Sequence, residues 1–369
     1  MQRPTESLNY ERMKKILLLI DSLGAGGAQR QLVGLALLLK ERGYDVSVAT
    51  YHDDRFYVDT LLDACVPYVY LKSAHDSKRR ILAVARYIRK VRPEWVIAFL
   101  ETPSIVASLA HICNRSFRLI VSERNTTQAI GWRERIRFRL FRTADYVVSN
   151  AYAQTRFIKE HYPRLAEKAL TVVNFVDTEY FRPVERSRRE VPEIVVAASI
   201  WEPKNTLGLI RAVRLMKDSG VRFHVSWYGK TGDTEYFSQC SQLLRELEVE
   251  DCISLLDKTK QIRDKYQQAD YFVLPSFYEG TPNVICEAMA CGLPIACSDV
   301  CDNARYVHTG ENGVLFDPRS AESIAEALLG LLGVSEDVWR EYGVKSRLRA
   351  VGVFSRERFV ESYIKLIEG

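Results

Sequence analysis

Twice along the chain a short, uninterrupted apolar run leads through a loop into a stretch of helical period, and then into another apolar run. That alternation dictates a parallel sheet, because a parallel strand can return only through a crossover, most often a helix. The first instance opens at Lys15-Ile-Leu-Leu-Leu-Ile-Asp21. Leu23-Gly-Ala-Gly-Gly-Ala28 follows, then Leu32, Leu35, Ala36 and Leu39 at helical spacing, and a stop at Arg42-Gly43. Tyr44–Thr50 reads as the next strand. An all-apolar strand of this kind is buried on both faces. Val66–Leu71, Glu94–Leu100, Leu119–Ser122 and Tyr146–Ser149 read as further strands, with helices over Arg79–Val91 and Ser104–Cys113.

Near 174–193 the texture changes. Asn174-Phe-Val-Asp177, Arg182-Pro and a charged run to Glu190 make the best linker candidate. A second series begins at Ile194–Ala198. Phe223–Tyr228, Ile253–Leu255, Tyr271–Pro275, Pro294–Ser298 and Val314–Phe316 are its strands. Its helices are Leu207–Lys217, Glu235–Leu247, Pro282–Met289 and Ala321–Leu332. The chain therefore reads as two similar doubly wound α/β halves, about 1–175 and 176–352, and 369 residues suit two domains. The last amphipathic segment, Arg356–Leu366, is not placed by sequence; one arrangement returns a helix over about 353–369 to the first domain.

Charge divides unevenly. Residues 1–180 hold 28 basic and 19 acidic side chains, and the excess peaks between Lys78 and Arg142, with 15 against 4. One half is thus suited to an anionic partner. No apolar run is long enough to span a bilayer, and Ile16–Ile20 is too short for a signal-peptide core, so a cytoplasmic protein is expected. The eight cysteines show no metal-ligand spacing and read as buried or half-buried thiols in a reducing compartment.

The most informative stretch is Pro275-Ser-Phe-Tyr-Glu279-Gly280-Thr281-Pro-Asn283-Val284-Ile-Cys-Glu287-Ala-Met-Ala-Cys-Gly292-Leu-Pro294. A strand ends at Leu274, Glu279 lies in the loop, and Thr281-Pro282 reads as an N-cap and a proline in the first helical turn. The start of a helix is a ready anion site. Glu279 just before it and Glu287 about one turn inside could accept hydrogen bonds from sugar hydroxyls. Either carboxylate alone would be an ordinary charge; flanking a helix start at a strand's carboxyl end, the two together mark a site.

This stretch resembles the retaining nucleotide-sugar glycosyltransferases of family 4, which have the GT-B fold of two Rossmann-like domains facing a cleft. Gly310-Glu-Asn-Gly313-Val-Leu-Phe316, Asn174–Asp177 and the opening glycine loop resemble that family's segments too. The resemblance implies that Glu287 binds the donor ribose and that Glu279 sits at the donor sugar near its reacting carbon. Backbone N–H groups around Asn283 and Val284 would hold the diphosphate, with Asp299 and Asn303 bordering the site. In Ser199-Ile-Trp-Glu-Pro-Lys204-Asn205, Lys204 would face the leaving diphosphate. Family members commonly carry Arg where this chain has Ser199.

Gly26 and Gly27 would approach the diphosphate across the cleft. The rival, a dinucleotide fingerprint, wants a glycine where Gln29 stands, with Asp53 as its acid. Ser122-Glu-Arg124-Asn125 offers Arg124 and Asn125 where many members have His, and these are expected at the acceptor or donor sugar. In Trp132–Arg142, Trp132, Ile136 and Leu140 share one helical stripe among arginines. That pattern suits an anionic membrane surface at the inner face, or else an ordinary packed helix; no nucleic-acid pattern accompanies it.

The implied activity is transfer of a hexose or N-acetylhexosamine from a nucleoside-diphosphate sugar to a saccharide hydroxyl. UDP-sugars are favoured and GDP-mannose stays open; the acceptor would be a saccharide, typically lipid-linked, as in polysaccharide or glycolipid synthesis. No metal or other cofactor is expected. A sugar-nucleotide epimerase on the same fold, or a non-catalytic binding subunit, are the other readings.

Overall fold

A computed structural model describes residues 13–124, 127 and 129–369. The chain divides into two compact units. One comprises residues up to Asn150, Gln154–Val172 and Val360–Gly369; the other comprises Ala151–Ala153 and Val173–Phe359.

In the first unit the order is β1 (Lys15–Leu19), α1 (Gly27–Glu41), β2 (Asp45–Thr50), α2 (Val58–Asp63), β3 (Tyr68–Tyr70), α3 (Ser77–Val91), β4 (Trp95–Phe99), α4 (Glu101–Cys113), β5 (Arg118–Glu123), α5 (Trp132–Phe141), β6 (Tyr146–Ser149), α6 (Tyr152–His161) and β7 (Ala169–Thr171). These strands form a seven-stranded sheet ordered β3-β2-β1-β4-β5-β6-β7, every pair parallel. Leu17, Leu19, Val96, Ala98, Leu119 and Val121 meet helix side chains such as Val84, Ile88 and Ala107 in one core.

In the second unit follow β8 (Glu193–Ala197), α7 (Thr206–Asp218), β9 (His224–Tyr228), α8 (Thr234–Glu246), β10 (Ile253–Leu256), α9 (Ile262–Gln268), β11 (Tyr271–Leu274), α10 (Asn283–Ala290), β12 (Ile295–Ser298), α11 (Asn303–Tyr306), β13 (Gly313–Phe316), α12 (Ala321–Leu332) and α13 (Glu336–Phe354). The last helix, α14 (Arg356–Glu368), belongs for most of its length to the first unit, which takes in Val360–Gly369. The sheet runs β10-β9-β8-β11-β12-β13, again all parallel. Separate cores cover its two faces, one around Ile210, Trp227 and Val273, the other around Phe272, Ile285 and Met289. Two-sided burial explains why these strands read as continuous apolar runs rather than alternating ones.

Each sheet reverses direction of growth at one place: between β1 and β4 in the first unit, between β8 and β11 in the second. Ligands of such sheets bind outside the carboxyl ends of the strands at that switch point.

Three expectations need correction. The stretch 174–193 is packed rather than a loose connector: Val176 and Phe181 are buried in the second unit's core, and Arg186 pairs with the buried Asp270 at 2.6 Å. Helix α10 starts at Asn283 with Pro282 as its N-cap, one residue later than the Thr281 cap implied. Among the cysteines, Cys65, Cys113 and Cys301 are exposed; all eight are free thiols.

Candidate active site

At the switch point of the second unit, three loops are tied together by side chains. The loop after β8 turns at Asn205, whose left-handed backbone (φ 58°) is tolerated because asparagine makes local hydrogen bonds there. Its Oδ1 accepts from Gly208 N and so caps α7, while its Nδ2 donates to the carbonyls of Pro275 (3.1 Å) and Pro318 (2.7 Å). Asn205 was expected among donor contacts; its amide is instead committed to holding the β8, β11 and β13 loops. Phe277 N donates to Pro203 O at 3.0 Å, a second stitch between the first two. Ser298 Oγ, at the end of β12, donates to Ser276 O at 2.6 Å.

This frame delivers Lys204 to Glu279. Lys204 Nζ lies 2.5 Å from Glu279 Oε1, and Ser276 Oγ donates to the same oxygen at 2.6 Å. Both charges are mostly shielded, their side chains 23% and 11% exposed. An ammonium pinned by one carboxylate oxygen keeps a fixed position at the rim of the sheet. Ser199 lies in the same loop, and Gly229 beyond β9 passes so close to it that a Cβ would meet Ala198 O at 1.9 Å. Neighbouring Thr281 is buried, and Gly280 is half-buried.

Helix α10 begins beside that pair. Its first two residues are Asn283 and Val284, and the first N–H groups of any helix lack intrahelical partners. Asn283 Oδ1 accepts from Asn174 Nδ2 at 2.9 Å, which fixes the helix start. Glu287, one turn on, is only 3% exposed, with Tyr266 Oη donating to its Oε2 at 3.4 Å. The structure thus brings Lys204, Glu279 and the α10 start together, and sets Glu287 inward behind them. Ser276, Ser298 and Tyr266 were not singled out from sequence, and Asn174 was read only as part of a family-like segment. A serine three residues before Glu279 was the one local signal; the others come from distant segments.

The first unit presents its own switch point. Gly26 is the N-cap of α1 and Gly27 its first residue. Asp21 Oδ1 accepts from Ser22 N (2.7 Å) and from Gln29 Nε2 (3.4 Å), so the position where a dinucleotide site wants glycine carries a side chain that closes the loop. Asp53 pairs with the exposed Arg55.

Arg124, expected at the acceptor or donor sugar, has its side chain engaged within the first unit. It is 8% exposed, its guanidinium stacks 3.9 Å from the centre of the Phe99 ring, and its Nη2 donates to Tyr363 Oη at 2.7 Å. It braces α14 against the sheet of the first unit. Asn125 lies outside the described residues.

Helix α5 does not bury its Trp132-Ile136 stripe, so the packed-helix reading of that row is the one set aside. Its buried residues are Arg137, Phe138 and Phe141, while Trp132 and Ile136 are 68% and 51% exposed. Arg137 reaches Glu101 at 2.8 Å and the buried Glu123 at 3.6 Å, at the carboxyl ends of β4 and β5. Burial pushes the Glu123 carboxyl from its ordinary 4.5 up to about 7, against the pull of Arg137. An acid with a raised folded pKa holds its proton better when folded, so the fold loses stability as pH rises between those two values. Glu123→Gln is therefore expected to gain stability relative to the parent between pH 5 and pH 8, by up to roughly 3 kcal/mol. Urea unfolding across that range measures the gap; a gap that does not change with pH would show that Glu123 ionises as in water.

Residues 25–180 match the family model described as Glycosyltransferase Family 4, and residues 191–333 match the one described as Glycosyl transferases group 1. The chain belongs to the family 4 glycosyltransferases. An uncharacterized glycosyltransferase of Haemophilus influenzae is 23% identical over 368 residues, covering 95% of this chain and 99% of that protein. The N-acetylgalactosamine-N,N'-diacetylbacillosaminyl-diphospho-undecaprenol 4-alpha-N-acetylgalactosaminyltransferase of Campylobacter jejuni is 21% identical, over 97% and 100%. Among solved structures, Anabaena HepE in complex with UDP-glucose superimposes with a TM-score of 0.84 at 17% identity, covering 96% of this glycosyltransferase and 99% of HepE. At that identity the likeness establishes the GT-B fold, and the family establishes that the protein is a glycosyltransferase.

Proposed function

We propose that this glycosyltransferase moves a sugar, with retention of anomeric configuration, from a nucleoside-diphosphate sugar to a hydroxyl of a lipid-linked saccharide. The observation that carries the proposal is the Lys204–Glu279 pair at the carboxyl ends of β8 and β11, beside the start of α10. UDP is the favoured base; HepE was crystallised with UDP-glucose, and the Campylobacter relative is named for an undecaprenol-linked acceptor.

In this mechanism the bond from the anomeric carbon to the diphosphate breaks. The acceptor oxygen bonds to that carbon on the face the diphosphate leaves, and its proton passes to a departing phosphate oxygen. Charge grows on the diphosphate as it departs, so fixed positive groups there lower the barrier. Lys204 and the α10 amino end are those groups, with no metal involved. Glu279 faces the donor sugar, where its carboxylate offsets positive charge gathering at the reacting carbon.

The test is a panel of UDP- and GDP-sugars, scored by thermal stabilisation and by slow nucleotide release without acceptor. One donor is expected to do both. A protein that no donor stabilises and that releases nothing would overturn the assignment. Glu287→Ala is expected to weaken affinity for that donor about tenfold or more, since a ribose would lose a charged partner. Because Glu287 is buried, its melting point must be read alongside: a lower melting point with unchanged affinity would make it a core residue and nothing more.

A further inference from the structure

Helix α5 presents two opposite faces. Phe138, fully buried, packs 4.3 Å from the centre of the Tyr162 ring, and Arg137 is locked between Glu101 and Glu123. The other face, in water, carries Trp132 and Ile136, with Ile130 (38% exposed) just before the helix. Around them Arg133, Arg135, Arg139 and Arg142 are exposed. The helix has a single acid, Glu134, whose carboxylate is engaged by Gly131 N at 2.9 Å. Beside this face lies an open groove of about 630 Å³, lined by Arg135, Ile136, Arg139 and Arg142 at the end of α5, by His161 at the end of α6 and by Arg164 beyond it.

We propose that this face docks the enzyme on an anionic lipid bilayer, with lipid phosphates seated in the arginine-lined groove and Trp132, Ile136 and Ile130 entering the interface. Water-exposed tryptophan and isoleucine gain by moving into the headgroup boundary, and the surrounding arginines gain from the negative surface potential. Guanidinium groups match phosphate oxygens in paired hydrogen bonds. A nucleic acid would use the same cations but offers nothing to two exposed isoleucines. The inference deepens the proposed function and rests on its lipid-linked acceptor, which a docked enzyme would meet at the bilayer. Arg137 then references the docked helix to the carboxyl ends of β4 and β5.

Sedimentation with vesicles tests this without donor or acceptor, so its failure is separate from any failure of the transfer reaction. The full chain is spun with vesicles of phosphatidylglycerol and phosphatidylcholine, and with phosphatidylcholine alone. It is expected to pellet with the first and to be released by high salt. R135E/R139E/R142E and W132S/I136S, both confirmed folded by circular dichroism, are each expected to reduce partitioning at least about tenfold. A parent that stays in the supernatant with anionic vesicles overturns the proposal. So does a charge-reversed variant that pellets like the parent. Loss on charge reversal with no effect of W132S/I136S would also overturn it, leaving a general polyanion site in place of a bilayer-inserting one.

Discussion

Lys204→Ala is expected to lower kcat by about 10²- to 10³-fold, the loss typical when one fixed group stabilising developing charge is removed. Lys204 Nζ is positioned rather than floating: Glu279 Oε1 holds it at 2.5 Å, and the Asn205 amide ties its loop to those after β11 and β13. A charge held in place before the reaction needs no reorganisation when the diphosphate departs. The stability cost should be small by comparison. Glu279 keeps the Ser276 hydroxyl as a donor, so the loss is about 1 kcal/mol. Steady-state kinetics with a thermal melt separates the two effects. Lys204→Arg keeps the charge in a different shape and should retain more turnover than alanine. An alanine variant with parental kcat and an unchanged melt would remove Lys204 from the reaction. A lowered melt with parental kcat would make the pair structural.

How much of this was legible in the sequence follows from which forces are local. The strands read from apolar runs appear within one or two residues of their places: Ile194–Ala198 becomes Glu193–Ala197, and Tyr146–Ser149 is unchanged. Their burial on both faces writes itself into continuous apolar sequence. Short elements held by tertiary packing, such as β7 and α9, carry too few residues to show a period, and they were not read. Of the candidate site, the Glu279–Glu287 stretch was legible because its residues lie close in sequence. The Lys204–Glu279 contact spans 75 positions, and only the strand order of a doubly wound sheet brings its ends together.

Helix α5 shows the opposite case. Ten residues hold two competing apolar rows, Trp132-Ile136-Leu140 and Phe138-Phe141. Spacing alone favours the longer row. The structure buries the shorter one, because the carboxylates Glu101 and Glu123 stand at the ends of β4 and β5 and draw Arg137 inward beside Phe138. A buried guanidinium between two carboxylates is a long-range feature that no window of sequence contains. The packing of Arg124 was illegible for the same reason: Tyr363, which it meets, is 239 positions away.

Asp270→Ala is expected to destabilise the second unit by about 3–5 kcal/mol, the cost of removing one partner from a buried ion pair. Asp270 is fully buried at the start of β11. Its Oδ1 accepts from Arg186 Nη1 at 2.6 Å and from Arg189 N at 3.3 Å, and its Oδ2 accepts from Glu193 N at 2.8 Å. One carboxylate therefore joins the segment entering the second unit, the first residue of β8 and the first turn into β11. Alanine leaves the Arg186 guanidinium over the Trp339 ring without its counter-charge and strips two backbone N–H groups of their acceptor. Asp270→Asn keeps an acceptor oxygen and should fall between the two. Urea unfolding followed by the fluorescence of Trp227 and Trp339, both in this unit, reads the loss directly. Replacing both charges, Asp270→Ala with Arg186→Met, should recover part of it, because the stranded guanidinium is gone while an apolar chain still covers Trp339. A single variant costing under about 1 kcal/mol would mean that water reaches Asp270 in the folded protein. A double variant no better than the single would place the loss in the backbone N–H groups of Arg189 and Glu193 rather than in the charge.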